Sequence, residues 1–332
     1  MKNFWGVIII LFFSCSSSDN MILVTNSGEA QGTYYHIKYM SNNGNNYKLQ
    51  IDSIFLEVDN SLSIYKENSL ISRLNNGDDL KTDYYFSQVF NAANKVSQET
   101  QGNFDCSVRS LLDAWGFYKH NLGDSLVVDS SKFRRLLQDV GYKKIVLIED
   151  SLILPKGMSL DFNSIAQGYT VDVIGSFLES KGSNNYLVEV GGEVLAKGKN
   201  SDGDIWRIGV DKPTDSIDSK ERFFFILDLE NKALATSGNY RKFYKKDGVK
   251  YSHTINPFTG FPAKNNLLSA TVMHNECMFA DAYATAFMVM GLKKSKQFAL
   301  ENPEIEIYLV YTGNDGAWGT YISPGMRKRI IN

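Results

Sequence analysis

Apolar and polar positions along this chain change period repeatedly, and each change marks an element. Thr33 to Tyr39 alternates with period two and predicts a strand. Tyr47 to Ser61 has helical periodicity, as does Asp83 to Gln101, which Gly102 stops. Leu111 to Phe117 is apolar and aromatic around Trp115-Gly116. A polar connector, 119–130, leads to a short helix from Ser131 to Val140 that ends at Gly141. Ile145 to Ile148 and Ser151 to Leu154 read as a hairpin, and Leu160-Asp161-Phe162 as the end of a strand. Ile165 to Ser180 is a helix with Ile165, Tyr169, Val173, Ile174 and Phe177 on one side. Tyr186 to Val190 is a strand entering Gly191-Gly192.

The second half is richer in strands: Trp206 to Val210, Phe223 to Leu229, Ala233 to Thr236 and Leu268 to Met273, with Lys246-Asp247-Gly248 as a hairpin turn. A helix through Asp281 breaks at Gly291, resumes to Glu301 and stops at Asn302-Pro303. Glu306 to Tyr311 and Trp318 to Ile322 close the chain around Asn314-Asp315-Gly316. The sum is an α+β fold with mixed, mostly antiparallel sheets and flanking helices.

The N-terminus reads differently. Lys2 precedes an apolar run from Phe4 to Phe13, ten residues, too short to span a bilayer and suited to a signal-peptide core. Ser14-Cys15 follows at once, as at a bacterial lipoprotein cleavage site. The expectation is a signal peptide over 1–14, a lipidated Cys15 with a polar tether over 15–30, and a catalytic domain over 31–332. A plain secretory signal or an uncleaved anchor is the alternative, and each places the protein outside the cytoplasmic membrane. Cys106 and Cys277 read either as a pair or as two buried thiols. A net charge of −2 from 35 basic and 37 acidic residues gives no electrostatic case for nucleic acid.

Five segments carry candidate chemistry. Asp281 and Thr285, four apart in an alanine-rich helical run, present a carboxylate and a hydroxyl on one face. That pair suits a hard cation such as Mg²⁺, and equally suits an ordinary first turn. Ser164-Ile165-Ala166-Gln167 fits a capping box, and a helix N-terminus after a strand also receives anions. Val190-Gly191-Gly192-Glu193 allows close backbone approach to a ligand or forms a tight turn. Thr236-Ser237-Gly238 holds phosphate or turns the chain. Ser252-His253, one of four histidines, precedes the turn Asn256-Pro257-Phe258-Thr259-Gly260, where a catalytic group is readily displayed.

Taken in order, these segments resemble the ApbE family of flavin transferases, the FAD:protein FMN transferases. Gln31-Gly32-Thr33, Ser69 to Asn75, Phe104-Asp105, Ala114 to Phe117, Leu160 to Tyr169, Glu189 to Gly192 and Ala280-Asp281-Ala282 also carry the resemblance. It runs from about Gly32 to the C-terminus. It implies transfer of the FMN half of FAD to a Thr or Ser hydroxyl of an exported flavoprotein, with AMP leaving. It implies FAD between two lobes, with Gln31, Tyr65, Ala114, Trp115, Gly116 and Ile255 among its contacts. Asp161, Gln167 and Ser252-His253 would sit near adenine and pyrophosphate. Mg²⁺ would be held by Asp281, Thr285 and a backbone carbonyl near Ser164, with His253 as base or proton relay and Asp281 as the essential metal carboxylate. Gln31 stands where the family often has Met, Gln167 where it often has Lys, Asn256 where it often has Asp, and Cys106 where it often has Pro. A Mg²⁺-dependent FAD pyrophosphatase and a non-catalytic FAD-binding lipoprotein are the rival readings.

Overall fold

The structure is a computed structural model that describes residues 21–118, 130–212, 223–239, 243–246, 249–252 and 254–331. The elements begin with strands β1 (Met21–Ala30) and β2 (Thr33–Asn42). Helices α1 (Lys48–Leu62), α2 (Leu70–Asn75), α3 (Tyr84–Glu99), α4 (Arg109–Trp115) and α5 (Ser130–Leu136) follow. Then come the hairpin β3 (Val146–Ile148) and β4 (Ser151–Ile153), helix α6 (Ala166–Ser180), and strands β5 (Tyr186–Val190) and β6 (Glu193–Lys197). Next are β7 (Trp206–Asp211), β8 (Phe223–Leu229), β9 (Lys232–Gly238), β10 (Phe243–Lys246), β11 (Val249–Ser252) and β12 (Leu267–His274). Helix α7 (Cys277–Glu301), β13 (Glu306–Thr312), β14 (Trp318–Ile322), α8 (Pro324–Arg327) and β15 (Ile330–Ile331) finish the chain.

Eight strands form one antiparallel sheet in the order β1-β2-β5-β6-β9-β12-β13-β14. Its inner strands are covered on both faces, so side chains divide by parity. Ala233, Ala235, Ala270, Val272, Ile307 and Leu309 point into a core shared with α1, α3, α6 and α7. Val194, Ala196, Leu234, Met273, Tyr308 and Val310 point the other way, onto Trp206, Leu227 and Leu229 of the small sheet β15-β8-β7. This two-sided burial is why Glu306 to Tyr311 reads as a nearly unbroken apolar run. A third cluster joins Leu111, Trp115, Phe133, Val140 and Ile255. The mixed, mostly antiparallel α+β architecture is the one expected.

Three local expectations are corrected. Met21–Ala30, read as tether, is a strand paired with β2 along its whole length. It is an edge strand, in which only Val24 and Asn26 are buried, so its sequence carries no period-two alternation. Leu160-Asp161-Phe162 is not a strand but a loop, fixed by mutual hydrogen bonds between Leu160 and the Asn75 amide at 2.7 and 2.8 Å. The Ser164/Gln167 capping box does not form: α6 has Ile165 at its N-cap and no side-chain cap of its own. Gly291 lies inside α7 at φ 75°, ψ 173°, a conformation that only glycine adopts without strain, and this is the helix break expected there. Cys106 and Cys277 are buried and unpaired. Residues 1–20, on which the expected signal peptide (1–14) and Cys15 fall, His253 and the Asp247-Gly248 turn lie outside the described residues.

Candidate active site

The first turn of α6 is completed by α7. Gly168 donates its backbone N–H to Asp281 Oδ2 at 3.2 Å, which supplies the acceptor that α6 lacks. Asp281 is 6% exposed, and burial pushes its carboxyl well above the usual range. Its Oδ1 accepts no hydrogen bond from the described residues. One turn on, Thr285 Oγ1 lies 3.1 Å from Ser237 Oγ at the end of β9. The Thr236-Ser237-Gly238 segment flagged in the sequence therefore meets the Asp281 helix face. Ser164 sits in the turn just before α6. A buried carboxylate whose second oxygen accepts nothing from the described residues, with a hydroxyl one helix turn on, offers hard oxygen donors that fit Mg²⁺. Among the described residues no group of three or more His, Cys, Asp and Glu could hold a metal. A cation here depends on hydroxyl and carbonyl oxygens as well as Asp281.

A second group surrounds Asp161. Its backbone N–H donates to Cys106 O at 2.8 Å, and its Oδ1 accepts from Asn163 N at 2.8 Å. The Tyr118 hydroxyl donates to Oδ2. Burial raises the Asp161 carboxyl, and these hydrogen bonds pull it back. Asn163 Nδ2 donates to Tyr65 Oη at 3.3 Å, and the Tyr65 and Tyr118 rings meet edge to face with centroids 5.8 Å apart. The Arg109 guanidinium lies 4.8 Å from the Tyr118 ring centre. Tyr65 is 70% exposed and offers an aromatic surface. Tyr65 and Asp161 were expected at the site; Tyr118, Asn163 and Arg109 were not. The one available signal was that Tyr118 directly extends Trp115-Gly116-Phe117. Replacing Tyr118 by Phe removes a donor to a buried carboxylate and is expected to cost about 1–3 kcal/mol, read from urea unfolding. The same change at Tyr65, which is mostly exposed, is expected to cost less than about 0.5 kcal/mol. Equal losses would show that the Asp161 bond contributes nothing special.

The remaining expected residues separate into two places. Gln31 sits in the β1–β2 turn at φ 53° and donates from Nε2 to Thr170 Oγ1 at 3.0 Å and Asp59 Oδ1 at 3.4 Å. Its Oε1 is buried without a partner among the described residues. The Gln167 amide lies against Gly191, where an added Cβ would come within 2.7 Å of Nε2. Both amides thus flank the start of α6. Trp115 is a core side chain: it stacks on Phe133 at 4.7 Å, meets Phe261 at 5.6 Å and donates from Nε1 to Gly260 O at 2.8 Å. Ala114 packs against the same cluster, Gly116 ends α4, and Ile255 is buried there while bridging Pro262. The turn after Ile255 is fixed by Asn256, whose Oδ1 accepts from Phe258 N at 2.9 Å. Ser252 ends β11.

This fold and these donor groups have a known class. The model of the ApbE family matches residues 31–309, and the chain belongs to that family. The FAD:protein FMN transferase of Vibrio cholerae is 35% identical over 298 residues, covering 87% of this chain and 88% of that one. The enzyme of the same name from Haemophilus influenzae is 30% identical over 308 residues, covering 89% and 88%. Among solved structures, the flavin transferase ApbE from Vibrio cholerae matches with a TM-score of 0.83 at 32% identity, over 93% of this chain and 99% of that one. The apo flavinyl transferase ApbE of Pseudomonas stutzeri matches with a TM-score of 0.83 at 28% identity, over 93% and 97%.

Proposed function

We propose that this chain is a FAD:protein FMN transferase, a Mg²⁺-dependent enzyme that moves the FMN half of FAD onto a Thr or Ser hydroxyl of an exported flavoprotein. The observation that carries the reading is the buried Asp281 carboxylate, with one oxygen bound by Gly168 and the other without a hydrogen bond from the described residues, in a chain of the ApbE family. The acceptor hydroxyl oxygen forms a bond to the flavin-side phosphorus, the bond from that phosphorus to the bridging oxygen breaks, and AMP leaves with that oxygen. The hydroxyl proton passes to His253 in this reading. Asp281, Thr285 and a carbonyl near Ser164 would hold Mg²⁺, which when bound supplies positive charge against the diphosphate oxygens. Tyr65 offers a stacking surface for the flat ring, and Asp161 holds the Asn163–Tyr118 group beside it. Phosphoryl displacement asks mostly for positioning and charge neutralisation, which suits a site built from helix ends and fixed loops. The lipoprotein-like start adds a membrane-anchored location through Cys15, outside the cytoplasmic membrane.

Residues 16–332 incubated with FAD, Mg²⁺ and a flavoprotein bearing a Thr or Ser acceptor are expected to add one FMN mass to the acceptor. The gain should require Mg²⁺ and match the AMP released. FMN and AMP without labelling, in a control lacking acceptor, would make the protein a pyrophosphatase. Bound FAD with neither product would make it a carrier.

A further inference from the structure

Neither α6 nor α7 has a side-chain cap of its own, and each is capped by the other. At α7 the N-cap is Glu276, which makes no side-chain cap bond. Instead Cys277 N donates to Asp172 Oδ1 and Met278 N to Asp172 Oδ2, both at 2.8 Å. At α6 the Gly168 N–H goes to Asp281. Gly168 and Asp172 are four apart on α6. Cys277, Asp281 and Thr285 are spaced by four along α7, so the two bonded faces are the faces that meet. The approach is very close: a Cβ on Gly168 would lie 2.4 Å from Cys277 O and 2.9 Å from Asp281 Cβ. A carboxylate taking two successive N–H groups fixes the rotation and the axial position of a helix start. Here that start lies one turn before Asp281 and two before Thr285.

We propose that Asp172 is a positioning residue for the cation site: by gripping the first turn of α7 with both oxygens, it sets where Asp281 and Thr285 present theirs. This rests on the metal reading of Asp281 and Thr285 given above. An ordinary helix cap would contribute stability alone. The grip of Asp172 also fixes the metal donors, because the next two turns of the same helix carry them and Gly168 bonds Asp281 directly. Asp172→Asn keeps the shape but offers one acceptor oxygen, and turns an N–H toward the other helix donor. Asp172→Glu keeps the charge but lengthens the arm.

The test is a titration with Mn²⁺ alone, followed by electron paramagnetic resonance, on the wild type, both Asp172 variants and Asp83→Ala. Asp83 caps α3 by accepting from Phe86 N at 2.8 Å and also accepts from Ser61 Oγ of α1 at 2.7 Å, so its loss removes a cap and an interhelix bond elsewhere. Both Asp172 variants are expected to bind Mn²⁺ at least tenfold more weakly. In transfer assays their half-saturating Mg²⁺ should rise by a similar factor, with the rate at saturating Mg²⁺ within threefold of wild type. Asp83→Ala should lower Tm with unchanged Mn²⁺ affinity. Wild-type Mn²⁺ affinity in the Asp172 variants, with only Tm lowered, would overturn the proposal and leave the metal site standing. If Asp172→Asn fails to fold, Asp172→Glu decides by the same measure. A wild type that binds no Mn²⁺ would overturn both this proposal and the metal reading beneath it.

Discussion

Asp281→Ala is expected to lower FMN transfer about a thousandfold while the fold persists. A divalent cation against phosphate oxygens is worth several kcal/mol of transition-state stabilisation, and each ~1.4 kcal/mol is a factor of ten. The substitution removes the only carboxylate in the proposed donor set. It also leaves the Gly168 N–H without its acceptor, which costs about 1 kcal/mol. Against that loss, it removes a buried carboxylate whose ionisation burial disfavours, so the metal-free protein should melt close to wild type. Addition of Mg²⁺ should raise the Tm of the wild type and leave that of the variant unmoved, because only a ligand that binds the native state stabilises it. Asp281→Asn separates the two roles: it can still accept from Gly168 but carries no charge for the cation. It should melt like wild type without metal and be as inactive as the alanine variant. Near-wild-type labelling by either variant would sink the metal assignment.

Much of this site was legible because its chemistry sits at element boundaries that punctuation residues announce. Gly102, Gly141 and Gly291 mark ends or breaks that the structure reproduces, and Asp281 and Thr285 share a face because helix geometry requires it. The start of α6 was read wrongly for a physical reason. Ser164 and Gln167 have the spacing of a capping box, but the acceptor for this helix comes from Asp281, more than a hundred residues away. A local pattern cannot report a cap supplied by another helix. The same limit hid Asp172, which in sequence is one acidic residue inside an amphipathic helix and in space is the cap of α7. Strand β1 was missed because an edge strand buries little: only Val24 and Asn26 are buried, so no alternating pattern sets it apart from a tether. Trp115 shows the opposite limit. Its place in the aromatic segment was legible, but a core stack on Phe133 and a surface for a ligand look alike in sequence.

Gly168→Ala should be far more damaging than an alanine elsewhere along the same helix. Glycine to alanine inside a helix ordinarily stabilises by about 0.4–1 kcal/mol, since the unfolded chain loses freedom. At Gly168 the added Cβ would lie 2.4 Å from the Cys277 carbonyl oxygen, 2.7 Å from its carbon and 2.9 Å from Asp281 Cβ. Two of these three obstacles are backbone atoms of α7, which cannot rotate aside, so the helices must separate by several tenths of an ångström or more. Overpacking of this kind costs about 1–3 kcal/mol, and it outweighs the propensity gain. The separation falls on the turn that carries Asp281, and a displacement near 1 Å at a reacting centre costs about a hundredfold in rate. Gly175, two turns further along α6, gives the contrast. Its added Cβ would meet Leu195 Cδ2 at 2.8 Å and Tyr186 Oη at 2.9 Å, both side-chain ends. Gly175→Ala should therefore lose less stability and keep most of its transfer rate. Melting curves and labelling rates for the two variants decide the matter. If Gly168→Ala melts and labels no worse than Gly175→Ala, the α6–α7 contact is not what holds Asp281 in place.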